Sequence, residues 1–406
     1  MPAAAKAYRA GTHRTLPPEA TVRRALRFAP VMGITRVANV TGLDNVGVPV
    51  VTVSRPNSRS LAVTQGKGVD LMAAKASALM ESIEAYHAET ITLPLRFCSL
   101  EELRYTHRVV DVSELPRVIT SSFHPNTRLL WCEGRDLMEG DTLFVPYELV
   151  HSDCTWPQPP GSGCFAGSSN GLASGNHHLE AVSHAICEVV ERDATTLWRL
   201  RGPDDRRSRR VDLTTVDDPS CIRVMELFQR AGVEAAVWET TTDVGIASFL
   251  CMIFRAADDP SRPLPPAAGA GCHPSRAIAL LRALTEAAQT RLVQISGSRD
   301  DIGRNRYGRH RYAANVGALR RELGRPAPRG FLESPHLDAD SLNEDVEWEL
   351  ERLRSAGVKA VVVIDLSKEA FGFPVVRVVI PGLEAISEMP GYVPGVRARG
   401  VAEAWT

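Results

Sequence analysis

The chain has 406 residues, 44% of them hydrophobic, and a formal net charge of -1. That supports a sizeable core, in one large domain or two to three smaller ones, and leaves no global field to draw the protein to nucleic acid or to a membrane surface. No apolar run reaches the length of a membrane helix, the start Met-Pro-Ala-Ala-Ala-Lys lacks the apolar stretch of a signal peptide, and the eight cysteines form no CxxC pair, so the expectation is a cytoplasmic protein with reduced thiols, without a zinc site or disulfide framework.

Residues 1–20 read as a poorly structured arm containing Arg14, and Thr21 as the cap of a short helix. Val37 to Val53 interleaves turn signals (Gly42, Asn45-Val46-Gly47) with β-branched runs, which predicts strand, turn, strand. Gln65-Gly66-Lys67-Gly68 then leads into a long apolar helix from about Asp70 to Glu89. Residues 98–150 mix short strands and loops, with a hairpin formed by Trp131 to Leu137 and Thr142 to Val145. Residues 155–176, rich in Gly, Ser and Pro, predict a flexible loop feeding a second long helix, about 177–198. A charged connector, Arg201 to Arg210, precedes a strand–helix–strand pattern from Cys221 to Phe254. Pro260 to Gly271 reads as a loop, a third long helix runs from about Ser275 to Ile295, and 323–345 reads as a surface linker. A helix at 346–355 and strands at 358–365 and 374–380 close the chain. The predicted class is α+β, built of several strand–helix–strand units with no short-period repeat: an arm (1–20), one large domain with sub-lobes (21–390) and a tail (391–406).

The chemistry concentrates on the two apolar helices. Ser77, Glu81 and Glu84 stand at i, i+4 and i+7 and share a face; Glu188 and Glu191 share a face of the second helix, with Glu180 within roughly 80° of Glu188. Carboxylates on apolar helices are costly to bury without a countercharge, and clustered oxygen ligands suit Mg²⁺. A single ExxE is usually a solvated pair; two copies leave the metal and solvated readings both open. Glu84-x-x-His87 raises a di-iron alternative, but the second such pair that a bundle site needs is absent, which leaves His87 a core or surface histidine. Lys67, between glycines after a strand, suits a phosphate, and the Ser169 to Asn176 loop before a helix suits an anion; each signal is weak alone. Glu286, Gln289 and Arg291 lie on the third helix. The basic stretch Arg299 to Arg311 has the composition of a nucleic-acid patch, but reads as a solvated loop or a peptide or partner-protein surface.

In order, Gly66-Lys67-Gly68, Ser77-x-x-x-Glu81-x-x-Glu84, Asn170-Gly-Leu-Ala-Ser-Gly-Asn176, Glu188-x-x-Glu191-Arg192-Asp193 and Glu286-Ala-Ala-Gln289-x-Arg291 resemble the successive signatures of YcaO-domain proteins, over about residues 12–390. The resemblance implies the YcaO fold around a central site for ATP and Mg²⁺, and activation of a peptide backbone amide by O-phosphorylation. It implies Glu84, Glu180 and Glu191 as the main magnesium-side carboxylates, with Glu81 and Glu188 in the same cluster. It puts Asn176 near ribose and phosphates, Arg192 on phosphate oxygens, and Lys67, Ser77, Gln289 and Glu286 in the nucleotide pocket. Arg14 and Thr21 stand where the family often has a Lys or Arg and a Ser contacting nucleotide. Glu84, Glu191 and Arg192 would carry catalysis. One departure is Ala85, where many members have Arg; that leaves more of the phosphate charge to Arg192. Azoline-forming members commonly end in a Pro-x-Pro-x-Pro tail; this chain ends Arg399-Gly-Val-Ala-Glu-Ala-Trp405-Thr406. Val378 to Glu384 resembles the corresponding segment of members that pair with TfuA proteins. The expectation is therefore thioamide formation on a peptide or protein substrate, with a TfuA-like partner, a sulfide source and possible homodimers, without nucleic acid or membrane. Azoline formation on Cys, Ser or Thr, and a non-catalytic ATP-binding role, are the alternatives.

Overall fold

A computed structural model describes residues 4–255, 264–299, 317, 319–321 and 323–404. Helix α1 (Pro18–Leu26) leads into an antiparallel meander, β1 (Arg36–Asn39), β2 (Val50–Ser54) and β3 (Val63–Lys67), covered by α2 (Leu71–Glu89). Then come β4 (Leu95–Cys98), the short α3 (Leu100–Leu103), the hairpin β5 (Leu129–Asp136) and β6 (Thr142–Pro146), β7 (Leu172–Ser174) and α4 (His178–Leu200). Next are α5 (Pro203–Ser208), β8 (Val211–Asp212) and α6 (Pro219–Arg230), then a second meander, β9 (Val233–Glu239), β10 (Ser248–Arg255) and β11 (Ala267–Cys272), covered by α7 (Arg276–Ser296). β12 (Arg329–Gly330), α8 (Leu342–Ser355), β13 (Val362–Asp365), β14 (Val375–Val379) and α9 (Val396–Glu403) follow. β4, β5, β13, β14 and β7 hydrogen-bond in that order, with β6 added on β5, and α4 packs on β14 and β7. Every pairing in this sheet is antiparallel, and the α+β class holds.

The two meander-plus-helix units are copies of one motif, and glycine is what lets each close. A Cβ on Gly66 of β3 would lie 2.0 Å from Ala78 N on α2; one on Gly269 of β11 would lie 2.2 Å from Ala287 N on α7. No side chain fits at that separation, so strand and helix backbones touch directly. Alternation along β3 then turns Lys67 to the opposite face, toward α7. Matching Ala78 with Ala287 makes Ser77 and Glu286 equivalent positions of the two copies. α2 and α4 start where a side chain accepts a backbone N–H: Asp70 from Ala73 (2.8 Å), His177 from Leu179 (3.2 Å).

Several expectations need correcting. The arm is anchored: Ala4 and Lys6 are buried, Ala5 bridges Ser341, and Lys6 Nζ pairs with Asp345 at 2.8 Å. Thr21 lies inside α1, whose N-cap is Pro17. The loop 155–176 contains β7, which is short but fully buried against β14. Cys221 belongs to α6, so 221–254 is helix–strand–strand. Pro260 to Gly271 includes most of β11, whose Ala-Gly sequence looks like a loop because its small residues serve close packing on α7. The stretch 323–345 carries buried Phe331, and α8 starts at Leu342, not 346. The tail contains α9. Of the basic stretch 299–311, only Arg299 lies within the described residues.

Candidate active site

Acids from α2, α4 and α7 meet at the junction of the two repeats. On α2, Glu84 accepts from Ser174 N (2.8 Å) and Ser174 Oγ (2.7 Å) through one oxygen. Glu81, one turn earlier, accepts from Gln65 N at 3.2 Å. On α4, Arg192 Nη1 lies 3.2 Å from Glu191 and Nη2 3.8 Å from Glu188. On α7, Glu286 lies 2.6 Å from Lys67 Nζ and accepts weakly from Ala270 N at 3.5 Å.

The cluster holds more negative charge than it can comfortably keep. Burial, against the opposing hydrogen bonds from Ser174 and with the charges of Glu81 and Glu188 adding to it, pushes the Glu84 carboxyl up to about 8. Burial, only partly offset by Arg192, pushes Glu188 up to about 7. Glu81 and Glu191 are raised as well, again chiefly by burial. Glu81 is nevertheless solvent-exposed, so water offsets part of that burial. Glu286 goes the other way: burial works against its charge, but Lys67 and Arg192 outweigh burial and hold it ionised. Burial likewise opposes the charge on Arg192, and Glu191 and Glu188 more than restore it.

Several of the remaining expected residues form a second network. Glu180, 3% exposed, accepts from Arg14 Nη1 (3.2 Å), Thr15 N and Oγ1 (both 3.0 Å) and Asn176 N (3.2 Å). Asn176 in turn exchanges hydrogen bonds with Thr21 Oγ1 and accepts from Arg24 Nη1 at 3.1 Å. The structure thus joins Arg14, Thr21, Asn176 and Glu180 in one network, with both Glu180 oxygens engaged inside the protein. Ser77 is half-buried one turn before Glu81. Gln289, one turn past Glu286, has a buried Oε1 without a partner among the described residues, as have His184 Nδ1 and Arg192 Nε.

Two residues here escaped the sequence reading. His184 lies on α4 one turn from both Glu180 and Glu188; burial, with Arg282, Arg14 and Lys67 nearby, keeps it neutral. Arg282 on α7 is lowered by burial and by Arg14, and donates to Cys272 O at 3.1 Å. Spacing could have found both: His184 sits midway between two expected acids, and Arg282 four residues before Glu286.

The donor set fits Mg²⁺ with a polyphosphate. Raised carboxyls suit a cation, and Arg192, Lys67 and Arg282, with Arg14 beside Arg282, bring positive charge close to the same acids. Among the described residues no three of these carboxylates offer oxygens within 4.8 Å of one another. His13, His273 and Asp345 do converge within 4.8 Å, but Lys6 occupies Asp345, and His273 Nδ1 accepts from Ser275 N at 2.9 Å, which puts the proton on Nε2. Asp345 of that group is thus already paired with the protein's own cation, Lys6.

A family model described as YcaO cyclodehydratase, ATP- and Mg²⁺-binding, matches residues 65–384. The chain belongs to the YcaO family. It is 38% identical over 357 residues to an uncharacterized protein in the tfuA 3′ region of Rhizobium leguminosarum bv. trifolii, covering 87% of this chain and 84% of the relative. An uncharacterized protein of Methanothermobacter thermautotrophicus is 34% identical over 373 residues, 89% of this chain and 92% of the relative. The fold superposes on a heterocyclase in complex with substrate and cofactor, with a TM-score of 0.80 at 23% identity over the full chain but only 57% of the heterocyclase. It also superposes on YcaO from Methanopyrus kandleri bound with AMPPCP and Mg²⁺, with a TM-score of 0.75 at 21% identity over 97% and 99% of the two chains. ATP and Mg²⁺ are thus the family's cofactors. Among the described residues no helix is long and apolar enough to cross a membrane.

Proposed function

We propose that this YcaO protein is an ATP- and Mg²⁺-dependent enzyme that converts a peptide backbone amide to a thioamide, working with a TfuA-like partner and a sulfide source. The observation that carries the thioamide reading is the likeness to a protein encoded beside tfuA; the resemblance of Val378 to Glu384 to TfuA-associated members supports it.

In this reading Glu84, Glu188 and Glu191 hold Mg²⁺, with Glu81 as an outer, water-side carboxylate. Glu180 orients Arg14 and Asn176 toward the nucleotide. Arg192, Arg282 and Lys67 face phosphate oxygens, and Ser77, Glu286 and Gln289 line the nucleotide pocket. Bound Mg·ATP would supply a neutralised γ-phosphoryl group as the acceptor for an amide oxygen. The chain's own residues fix the reacting groups and place positive charge where the transferred phosphoryl gathers negative charge, which is where most of such a rate enhancement comes from. The balance is amide plus hydrosulfide plus ATP giving thioamide, ADP and phosphate, the amide oxygen leaving on phosphate.

Incubation with ATP, Mg²⁺, sulfide, a TfuA-type partner and a candidate peptide tests this by mass spectrometry. The expected product is heavier by one oxygen-to-sulfur exchange and appears with ADP. Loss of one water without need of sulfide would replace thioamide by azoline formation. ATP binding without any peptide product would leave a non-catalytic role.

A further inference from the structure

Past β14 the chain turns back and straps itself along α4. Glu384 N donates to Asp193 Oδ1 at 2.9 Å. Thr196 Oγ1 donates to Ala385 O (2.8 Å) and accepts from Ser387 N (3.2 Å), and Arg199 pairs with Glu388 at 2.8 Å. The strap then crosses to Ile119, whose N donates to Gly391 O at 2.8 Å, and enters α9. The Glu384 carboxylate closes the loop by accepting from Tyr392 Oη (2.7 Å), Gly395 N (2.9 Å) and Ala398 N (2.8 Å), which caps α9. From α9, Arg397 returns to α4: Nε donates to Asp193 Oδ1 and Nη2 to Oδ2, both at 3.0 Å. Its outer edge binds Asp243. Asp193 is wholly buried and Arg397 18% exposed.

Asp193 directly follows Glu191-Arg192, and on the helix it points about 200° from Glu191, to the side away from the acid cluster. The Arg397 fork and the cluster therefore grip opposite faces of one helical turn. Among the described residues Arg192 Nε has no hydrogen bond, and its Nη atoms pair with Glu191 and Glu188 of its own helix, so its aim turns with α4. The strap supplies a charge as well, since Glu388 is among the carboxylates that stabilise the Arg192 cation. We infer that Arg397 is a positioning residue for the nucleotide site: through Asp193 it sets the rotation of α4 that aims Glu191 and Arg192. Misplacement by about an ångström is enough to cost large factors at a phosphoryl-transfer centre. The inference rests on the assignment of this site to Mg·ATP.

The test uses the full chain with Arg397→Met, Arg397→Lys and Arg397→Ala, and AMPPCP as probe, titrated with and without Mg²⁺ at a temperature where circular dichroism shows each variant folded. Arg397→Met should weaken Mg²⁺-dependent binding at least tenfold while Mg²⁺-free binding changes less than threefold. Arg397→Lys, which keeps the charge but loses the fork, should recover only part, and added methylguanidinium should restore Arg397→Ala. With Mn²⁺ in place of Mg²⁺, the electron paramagnetic resonance spectrum of the bound ion should differ between Arg397→Met and wild type. A variant that melts earlier yet binds Mg·AMPPCP as the wild type does when folded overturns the strap's role and leaves the site assignment standing; the Lys variant gives this comparison should the Met variant not fold. A wild type without Mg²⁺-dependent binding overturns both.

Discussion

Lys67 Nζ lies 2.6 Å from Glu286 Oε2 and so joins β3 of one repeat to α7 of the other across the candidate nucleotide site. Both side chains are about a quarter exposed (23% and 26%). A pair this open contributes at most ~1 kcal/mol to folding. Its larger effect is local, because it keeps Glu286 ionised and places an ammonium beside Glu191. Lys67→Met should therefore leave the thermal midpoint within ~2 °C while weakening Mg·ATP binding about tenfold, as read by calorimetric titration. A large fall in midpoint with unchanged affinity would make the pair a structural tie only.

The raised carboxyls predict a pH dependence in the nucleotide-free protein. Glu84 and Glu188 stand at about 8 and about 7 when folded, against 4.5 for the unconstrained group. The folded state thus holds protons that the unfolded chain has released. Their contribution is complete below pH 4.5 and is lost as the pH rises through 7 and then 8. The midpoint without Mg²⁺ should fall from pH 6 to pH 8.5, and added Mg·ATP should stabilise more at the higher pH. Glu84→Gln keeps an oxygen for Ser174 and should flatten the upper part of the curve. A midpoint that rises over this interval would contradict the burial of these acids.

The backbone contacts at Gly66 and Gly269 predict sharp intolerance. A methyl group at either position meets helix backbone, which cannot step aside as a side-chain tip would. Gly66→Ala and Gly269→Ala should each cost at least ~2 kcal/mol, near the upper range for overpacking, seen as a lower urea midpoint. Gly140, with nothing near its added Cβ but a positive φ of 78°, is the control: its Ala variant should pay only the smaller cost of a strained turn.

The acid helices were legible because chemistry wrote them plainly: Glu81, Glu84, Glu188 and Glu191 are carboxylates on otherwise apolar 3.6-residue patterns, and the structure brings them together as that pattern implies. β11 was illegible for the same reason that its repeat works. Ala-Ala-Gly-Ala-Gly-Cys has no β-branched or aromatic residues, since its job is to let α7 approach. The arm was misread because its anchors, Lys6 on Asp345 and Arg14 on Glu180, join residues 339 and 166 positions apart in sequence, and no local window contains both partners. His184 and Arg282 were passed over because one histidine or arginine on a helix carries little information until its neighbours are known.

Glu180 and Glu188 look alike in sequence, yet their surroundings predict opposite responses to the same change. Glu180 accepts four hydrogen bonds, from Arg14, Thr15 twice and Asn176. Glu180→Gln turns one acceptor oxygen into a donor facing donors, and a buried mismatch of that kind costs ~1–3 kcal/mol. Glu188 lies 3.8 Å from Arg192, with Arg377 a weaker positive neighbour, and burial disfavours its charge. Glu188→Gln removes that penalty, so the nucleotide-free protein should be as stable as the wild type or more so above pH 7, while Mg²⁺-dependent ATP binding falls at least tenfold. Thermal melts with and without Mg·ATP distinguish the two acids: Glu180→Gln should lower the baseline midpoint and retain some ligand-induced shift, whereas Glu188→Gln should keep the baseline and lose the shift. If Glu180→Gln instead kept full stability and lost the shift, Glu180 would belong with the metal ligands, and Arg14 would have to release it when Mg²⁺ binds.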